Sequence, residues 1–202
     1  MDIEPISLVL ALCLGLGLSA ACGFRVFIPP FAMSLATMQG LIELSPEWQW
    51  LGSQTAVIAL GMATLVEVLA YFIPWVSNAL DSVELVAAPI AGMLVTASSL
   101  SMVGDINPVL LWTTAAIAGG GTAEVVEGAT AVTRLATASA TGGLANPLVG
   151  VLEMLMSAVL TILAITAPIF AVVIVAGLII YCWRRLWRWQ QRRQRAQNSW
   201  SD

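Results

Sequence analysis

The sequence predicts an all-α fold, a polytopic bundle of transmembrane helices with five spans. Hydrophobic residues make up 59% of the 202 residues and charged residues only 10%, and the mean hydropathy is +0.90. Soluble domains carry about 25% charged residues, so this chain has too few charges to cover a water-facing surface. The apolar residues also form runs of about 20, the length that crosses a bilayer as a helix.

The first span is predicted over residues 6–23, an apolar run without charges. It is followed by Arg25 and by the Pro29-Pro30 pair. A charge and two prolines end or distort a helix. Residues 31–50 mix apolar and acidic positions and are expected to form a short helix or loop near the membrane surface.

Three further spans are predicted between residues 51 and 126. The second covers 51–73, the third 89–103 and the fourth 109–126. Residues 74–88 are more polar and are expected to connect the second span to the third. Residues 127–146 are only weakly apolar and are rich in Ala, Thr, Ser and Gly.

The last apolar stretch, residues 147–183, is too long for one straight crossing. As a single helix it measures more than about 50 Å, against a hydrocarbon thickness of about 30 Å. It therefore forms either one tilted helix kinked at Pro168 or two spans, which raises the total from five to six. Five is favoured, because six places the N-terminus inside and that terminus has no basic residue to support this side.

Six of the eight arginines follow this stretch, and they divide the chain into a transmembrane domain, residues 1–183, and an Arg/Trp-rich tail, residues 184–202. Arginine next to a span is typical of the cytoplasmic side, so the C-terminus is predicted to be cytoplasmic. Arg184, Arg185 and Arg188 are expected to contact lipid headgroups. No nucleic-acid partner is expected, because a membrane flank accounts for the cluster.

Charged residues inside the spans are the main candidates for a functional site. A charge at the bilayer centre costs at least about 2.5–3.5 kcal/mol. Glu67 and Glu124 lie deepest in their apolar runs and are the strongest candidates. The full set of candidates for a polar path or an ion site is Arg25, Glu67, Glu124, Glu127, Arg134 and Glu153.

Two interpretations of these charges remain open. In the first, Arg25 and Arg134 pair with the glutamates and lock the bundle together. In the second, two arginines cannot neutralise four glutamates, so some acids are protonated, hydrated or bound to a cation. Glu124, Glu127 and Arg134 have the spacing i, i+3, i+10, which predicts one shared helical face if the helix continues.

Small residues suggest close helix packing. Gly15, Ser19 and Gly23 repeat every four residues, as do Ala115, Gly119 and Ala123, and such stripes let helix backbones approach in lipid. The run of residues 119–121, three glycines, predicts a loosened or broken helix beside Glu124.

A weak internal repeat is also present. Glu67 and Glu124 are 57 residues apart, and the pairs Pro89/Gly92 and Pro147/Gly150 are each offset by 58. The third and fifth predicted spans therefore begin alike. A true duplication would make this a parallel repeat, of the kind that some transporters use.

No catalytic role is predicted. The chain has no histidine, which excludes a histidine-based triad and a histidine-ligated metal site. No phosphate-binding glycine loop or nucleophile elbow is present. Cys13, Cys22 and Cys182 lack the spacing of metal ligands, so no metal is expected and no cofactor can be assigned.

Several short motifs, in a fixed order between residues 15 and 168, resemble one known family. They are Gly23-Phe24-Arg25, Glu67 with Ile73-Pro74, Asp81 before Pro89, and Arg134 followed by Thr141-Gly142-Gly143, Asn146-Pro147 and Glu153. The chain resembles bacterial membrane proteins catalogued only as domain of unknown function 4126. It departs from the family pattern at one position. Members of the family have a basic residue just before Ile-Pro, where this chain has Phe72. The resemblance implies a multi-span protein of a bacterial inner (plasma) or thylakoid membrane and no established activity.

The leading functional hypothesis is a permease for a small solute or ion, in which Glu67 and Glu124 line a polar path and Arg25 or Arg134 supplies the counter-charge. The alternative is a non-enzymatic scaffold or assembly factor whose intramembrane charges bind partner helices. The expected partners are the lipid bilayer and either other membrane proteins or further copies of the chain.

Overall fold

The structure is a computed structural model that describes residues 4–104, 106–142, 145–180 and 184. Every regular element in these ranges is helical. In chain order they are α1 (Pro5–Cys22), α2 (Ile28–Met38), a 3₁₀ segment (Pro46–Gly52), α3 (Gln54–Ala70), α4 (Pro74–Leu100), a 3₁₀ turn (Ser101–Val103), α5 (Pro108–Thr114), a π-helical segment (Ala115–Gly120), α6 (Gly121–Thr141), α7 (Asn146–Thr166) and α8 (Pro168–Ile180).

The predicted fold class, an all-α bundle with membrane-spanning helices, is confirmed. Within the described residues, four helices are long and apolar enough to cross a membrane: Pro5–Cys22, Ala79–Val103, Pro108–Thr141 and Asn146–Thr166. A fifth span results if Pro46–Gly52 and Gln54–Ala70, which meet at an angle of 58°, count as one. The predicted count of five agrees with this upper number. Helix α8 is described as far as Ile180 and within that range is one of the shorter apolar helices.

Helix α1 is the central helix of the bundle. Its C-terminal half is almost completely buried, and it packs against α4, α6 and α7. A Cβ atom on Gly15 would lie 2.9 Å from Cα of Thr96, and one on Gly23 would lie 3.0 Å from the backbone nitrogen of Glu127. The predicted small-residue stripe therefore does bring helix backbones into contact.

Helix α4 corrects one prediction. Residues 74–88 do not form a connection but the first half of a continuous helix, Pro74–Leu100, with Pro89 inside it. Asp81, Glu84 and Ala88 have helical spacing and turn toward the other helices, so this half is held by its contacts despite its polarity. The predicted likeness of two span starts also fails, because Pro147 lies in the first turn of α7 whereas Pro89 is internal.

The fourth span is longer than predicted and is not broken. It runs continuously from Pro108 to Thr141, and residues 127–141 belong to it. The glycine run leaves a milder irregularity, the π-helical segment Ala115–Gly120. The hydroxyl of Ser19 donates a hydrogen bond to the carbonyl of Gly119 in this segment, so α1 contacts the irregular turn directly.

The last apolar stretch breaks where proline predicts it. Helix α7 ends at Thr166, and Ala167 adopts φ −145° and ψ 69° before Pro168 begins α8. A residue that precedes proline is disfavoured in the helical region, which accounts for the break.

Of the three tail arginines expected at lipid headgroups, Arg184 is exposed. Arg185 and Arg188 lie outside the described residues. The headgroup contact, the cytoplasmic side of the tail and the division at residue 183 stay predictions.

Candidate functional site: a buried charge network

A network of charged side chains lies where α1 and α3 end and α4, α6 and α7 continue. Asp81 is seven residues from the start of α4 (81 − 74), Glu153 seven from the start of α7 (153 − 146), and Arg134 seven from the end of α6 (141 − 134). Seven residues of helix measure about 10 Å. Three helices thus extend about two turns beyond the network on one side of the bundle.

Arg134 joins three helices. Its Nε lies 2.9 Å from both carboxylate oxygens of Glu153, and its Nη2 also pairs with that carboxylate. Its Nη1 pairs with Asp81 and lies 3.4 Å from Oε2 of Glu84. Arg134 thus pairs with Glu153, which agrees with the first of the two interpretations for this pair.

Arg25 lies in the loop after α1 and is only 1% exposed. Its Nη2 donates a hydrogen bond to the carbonyl of Gly150 at 2.9 Å and lies 3.5 Å from Oε2 of Glu153. Its Nη1 lies 3.7 Å from Oε1 of Glu84. A Cβ atom on Gly150 would be 3.1 Å from Nη2, so the glycine makes this close approach possible.

Tyr71 stands between the two arginines. The guanidinium carbons of Arg25 and Arg134 lie 3.4 Å and 4.9 Å from the centroid of its ring. Its hydroxyl accepts a hydrogen bond from Arg134 Nη1 at 2.8 Å and is within hydrogen-bond distance of Asp81 and Glu84. Because the hydroxyl has one proton, it can donate to only one of these carboxylates at a time.

Glu67 is buried, as predicted, but its contacts are with backbone. Its carboxylate accepts hydrogen bonds from the backbone nitrogens of Val26 at 2.7 Å and Phe27 at 3.2 Å. These amides immediately precede α2, whose first residues include Pro29 and Pro30. The carboxylate therefore caps the N-terminus of α2 from another helix.

Glu127 is the least satisfied acid of the network. It is 1% exposed and forms no ion pair among the described residues. Its Oε2 accepts a weak hydrogen bond from Thr130 at 3.4 Å, and its Oε1 has no hydrogen-bond partner in the described part of the chain.

Glu124 lies outside the network. Its side chain on α6 is exposed, whereas those of Glu127 and Arg134 on the same helix are buried. The prediction that all three share one face is wrong for Glu124. A position three residues along a helix is turned by about 60° from its neighbour, which here separates an outward from an inward side chain.

The network contains more acid than base. Five carboxyl groups (Glu67, Asp81, Glu84, Glu127 and Glu153) surround or adjoin two guanidinium groups. Asp81 is the most accessible member, with about 35% of its side chain exposed. The excess of carboxyl groups predicted from the sequence is therefore present. The network differs from the predicted set because it includes Asp81 and Glu84 and does not include Glu124.

Sequence reasoning missed Asp81, Glu84 and Tyr71. The two acids were assigned to a connection because of the polarity around them. Their spacing to Ala88, i+7 and i+4, indicated the helix that carries them inward. No local sequence pattern indicated a role for Tyr71. It follows directly after the last residue of α3, and the end of that helix positions it in the network.

Two cavities lie in the described part of the bundle, and the smaller one borders the network. One, of about 20 Å³, is bordered by Arg25, Tyr71 and Gly150, which is room for about one water molecule. The other, of about 280 Å³, is apolar and lies between the 3₁₀ segment, α3 and α4, with Trp48 and Trp50 on its wall. No group of three or more Asp, Glu or Cys residues suited to a metal ion occurs among the described residues.

The family described as Domain of unknown function (DUF4126) matches residues 12–188 of the chain. This range includes every residue of the network. No curated protein and no solved structure matches the chain.

Proposed function

Because the chain belongs to the DUF4126 family, whose description assigns no activity, we propose a function from the geometry of the network: an ion permease that carries protons, with Glu127 as the intramembrane proton site. The observation that supports it is a buried carboxyl group with an oxygen that lacks a hydrogen-bond partner and with no arginine paired to it among the described residues. The proposal assigns no catalytic chemistry to the network.

The charge imbalance supports a proton as the transported or coupling ion. An ionised carboxylate buried without a partner is strongly unfavourable in a low-dielectric interior. A proton on Glu127 removes that charge and needs no further ligand. A metal ion, by contrast, needs several oxygen ligands around one point.

Asp81 supplies the route to one side of the membrane. It is partly exposed, and it shares Arg134 and Tyr71 with the buried Glu84. A proton taken up at Asp81 weakens its pairing with Arg134 and leaves that arginine to Glu84 and Glu153. Asp81 thus links the exposed end of the network to its buried acids.

The test is proton flux into liposomes that contain the purified full-length protein and a pH-sensitive dye, driven by a potassium diffusion potential. We expect flux above that of empty liposomes, a loss of at least tenfold in Glu127→Gln and a smaller loss in Asp81→Asn. Glu124→Gln is the matched control, since it removes an acid three residues away on the exposed side of the same helix. Flux in Glu127→Gln equal to that of wild type would overturn the proposal, as would no flux in the wild type.

The scaffold alternative predicts another result in the same set of variants. A scaffold conducts no protons, and its Glu127→Gln variant loses a partner protein from native membranes. Flux that depends on Glu127 without loss of any partner therefore separates the two functions.

A further inference from the structure

Two neighbouring helices each contain an irregular turn. In α4 this is Pro89, which has no backbone N–H, so the carbonyl of Leu85 loses its usual partner in the helix. The continuous helix Pro108–Thr141 contains the π-helical segment Ala115–Gly120, whose hydrogen bonds follow a wider spacing. Helices kink at prolines and at π-helical turns. Each of the two helices is therefore easiest to bend at its irregular turn.

The two irregular turns lie against each other. A Cβ atom on Gly120 would lie 3.2 Å from the carbonyl oxygen of Pro89, and one on Gly92 would lie 3.1 Å from the carbonyl oxygen of Gly119. The hydroxyl of Ser19 on α1 donates a hydrogen bond to that Gly119 carbonyl. The central helix thus contacts both helices at the level where both are irregular, which suits a pivot.

On one side of these turns, α4 and α6 are joined to each other by charge. Arg134 of α6 pairs with Asp81 of α4 and lies 3.4 Å from Oε2 of Glu84. Glu127 lies on the same side, about two turns beyond the π-helical segment (127 − 120). We call this part of the two helices the α4–α6 arm, and it consists of residues 74–88 and 121–141.

Two ion pairs of the network connect the arm to the rest of the bundle. Oε1 of Glu84 in the arm lies 3.7 Å from Nη1 of Arg25, and Arg134 in the arm pairs with Glu153 of α7. Both pairs need an ionised glutamate. A proton on Glu84 or on Glu153 therefore removes an attraction that holds the arm against the bundle, at a distance from the irregular turns.

We propose that Pro89 and the π-helical segment form a hinge, about which the α4–α6 arm tilts to open and close access to Glu127. The backbone of Glu127 packs on α1 at Gly23, where an added Cβ would lie 3.0 Å from the nitrogen of Glu127. A tilt of the arm away from α1 uncovers the Glu127 side chain on the side where Asp81 is partly exposed. The proposal rests on the proton permease for the use of this movement, but the movement itself is measured without proton flux.

The first test measures the distance between two spin labels by pulsed electron paramagnetic resonance. It uses the full-length protein in liposomes, with the native cysteines replaced and with Leu135→Cys in the arm and Leu152→Cys on α7, both at exposed positions. Position 135 is 15 residues beyond Gly120 (135 − 120). That is about 22 Å along the helix, so a tilt of about 10° moves the label by about 4 Å. We expect Glu84→Gln, which removes one connection of the arm, to change the distance by about this amount.

The matched control for the first test is a label pair on the same two helices but outside the arm. Leu110→Cys and Val159→Cys occupy exposed positions of the helix Pro108–Thr141 and of α7, and their distance should be the same with and without Glu84→Gln. An unchanged distance between positions 135 and 152 would overturn the hinge. An equal change in the control pair would also overturn it, since the whole bundle then deforms.

The second test stiffens the hinge. Pro89→Ala restores the helical hydrogen bond to Leu85, and we expect it to reduce both the label movement and the proton flux by about threefold or more. Pro108→Ala is the control, because a proline in the first turn of a helix removes no helical hydrogen bond. Movement or flux that Pro89→Ala leaves unchanged would contradict the proposal. Label movement that depends on Pro89 in a protein without flux would support the hinge and overturn the permease alone.

Discussion

The guanidinium carbon of Arg25 lies 3.4 Å from the centroid of the Tyr71 ring, and Arg134 contacts the same ring at 4.9 Å. Two positive groups from distant parts of the chain thus share one aromatic side chain. The negative face of the ring attracts both of them, and the surrounding carboxylates offset their mutual repulsion. Tyr71 is therefore the centre of the network, although it carries no charge.

Replacement of Tyr71 by Phe removes the hydroxyl and keeps the ring. We expect a loss of about 1–3 kcal/mol in the free energy of unfolding, because Arg134, Asp81 and Glu84 lose a buried hydrogen-bond partner. The measurement is unfolding in mixed micelles on titration with SDS. Phe72→Leu, at the neighbouring exposed position, is the control and should change the free energy little; an equal loss there would contradict the central role of Tyr71.

Arg134 and Glu153 should behave as a coupled pair. Removal of one partner leaves a buried charge, so each of Arg134→Gln and Glu153→Gln is expected to cost about 3–5 kcal/mol of stability. The double variant should cost clearly less than the sum, since neither charge then remains. Simple additivity in this double-mutant cycle would show that the close contact between them contributes nothing.

Glu67→Gln should loosen the start of α2. A carboxylate accepts hydrogen bonds from both Val26 and Phe27, whereas an amide has one oxygen and no charge to offer. We expect faster hydrogen exchange at these two amides, with little change in proton flux. Unchanged exchange would show that the cap is not needed, and lost flux would place Glu67 in the ion path instead.

Gly92 is predicted to tolerate no side chain. A Cβ atom there would lie 2.5 Å from Oγ of Ser19 and 2.7 Å from Cβ of Ala123. Gly92→Ala should therefore destabilise the bundle by about 1–3 kcal/mol through overpacking. Gly177→Ala, at an open helical position, should be neutral or slightly stabilising, because Ala has the higher helix propensity. The comparison uses the same SDS titration.

Much of the fold could be predicted from the sequence, because hydropathy and proline act locally. The end of α1 before Arg25 and the break before Pro168 both follow from side chains within a few residues. The small-residue stripe on α1 was also readable, since it depends only on helical spacing.

The membership of the charge network could not be predicted in the same way. Depth within an apolar run favoured Glu124 over Glu127, but depth along the chain does not determine which side of a helix faces the bundle. Asp81 and Glu84 are held inside by arginines 50 or more residues away in sequence. Such pairing depends on how the helices assemble, which local polarity does not report.

The central place of α1 has a consequence for biosynthesis. Arg25 is made early, yet its partners Glu84 and Glu153 follow 59 and 128 residues later (84 − 25 and 153 − 25). Until α7 leaves the ribosome, the guanidinium lacks both the Gly150 carbonyl and one of its two carboxylates. Since Arg25 lies just beyond the end of α1, its guanidinium group can interact with lipid headgroups until these partners have been made. The contacts of Arg25 are therefore completed only after α7 has been made and has packed against α1.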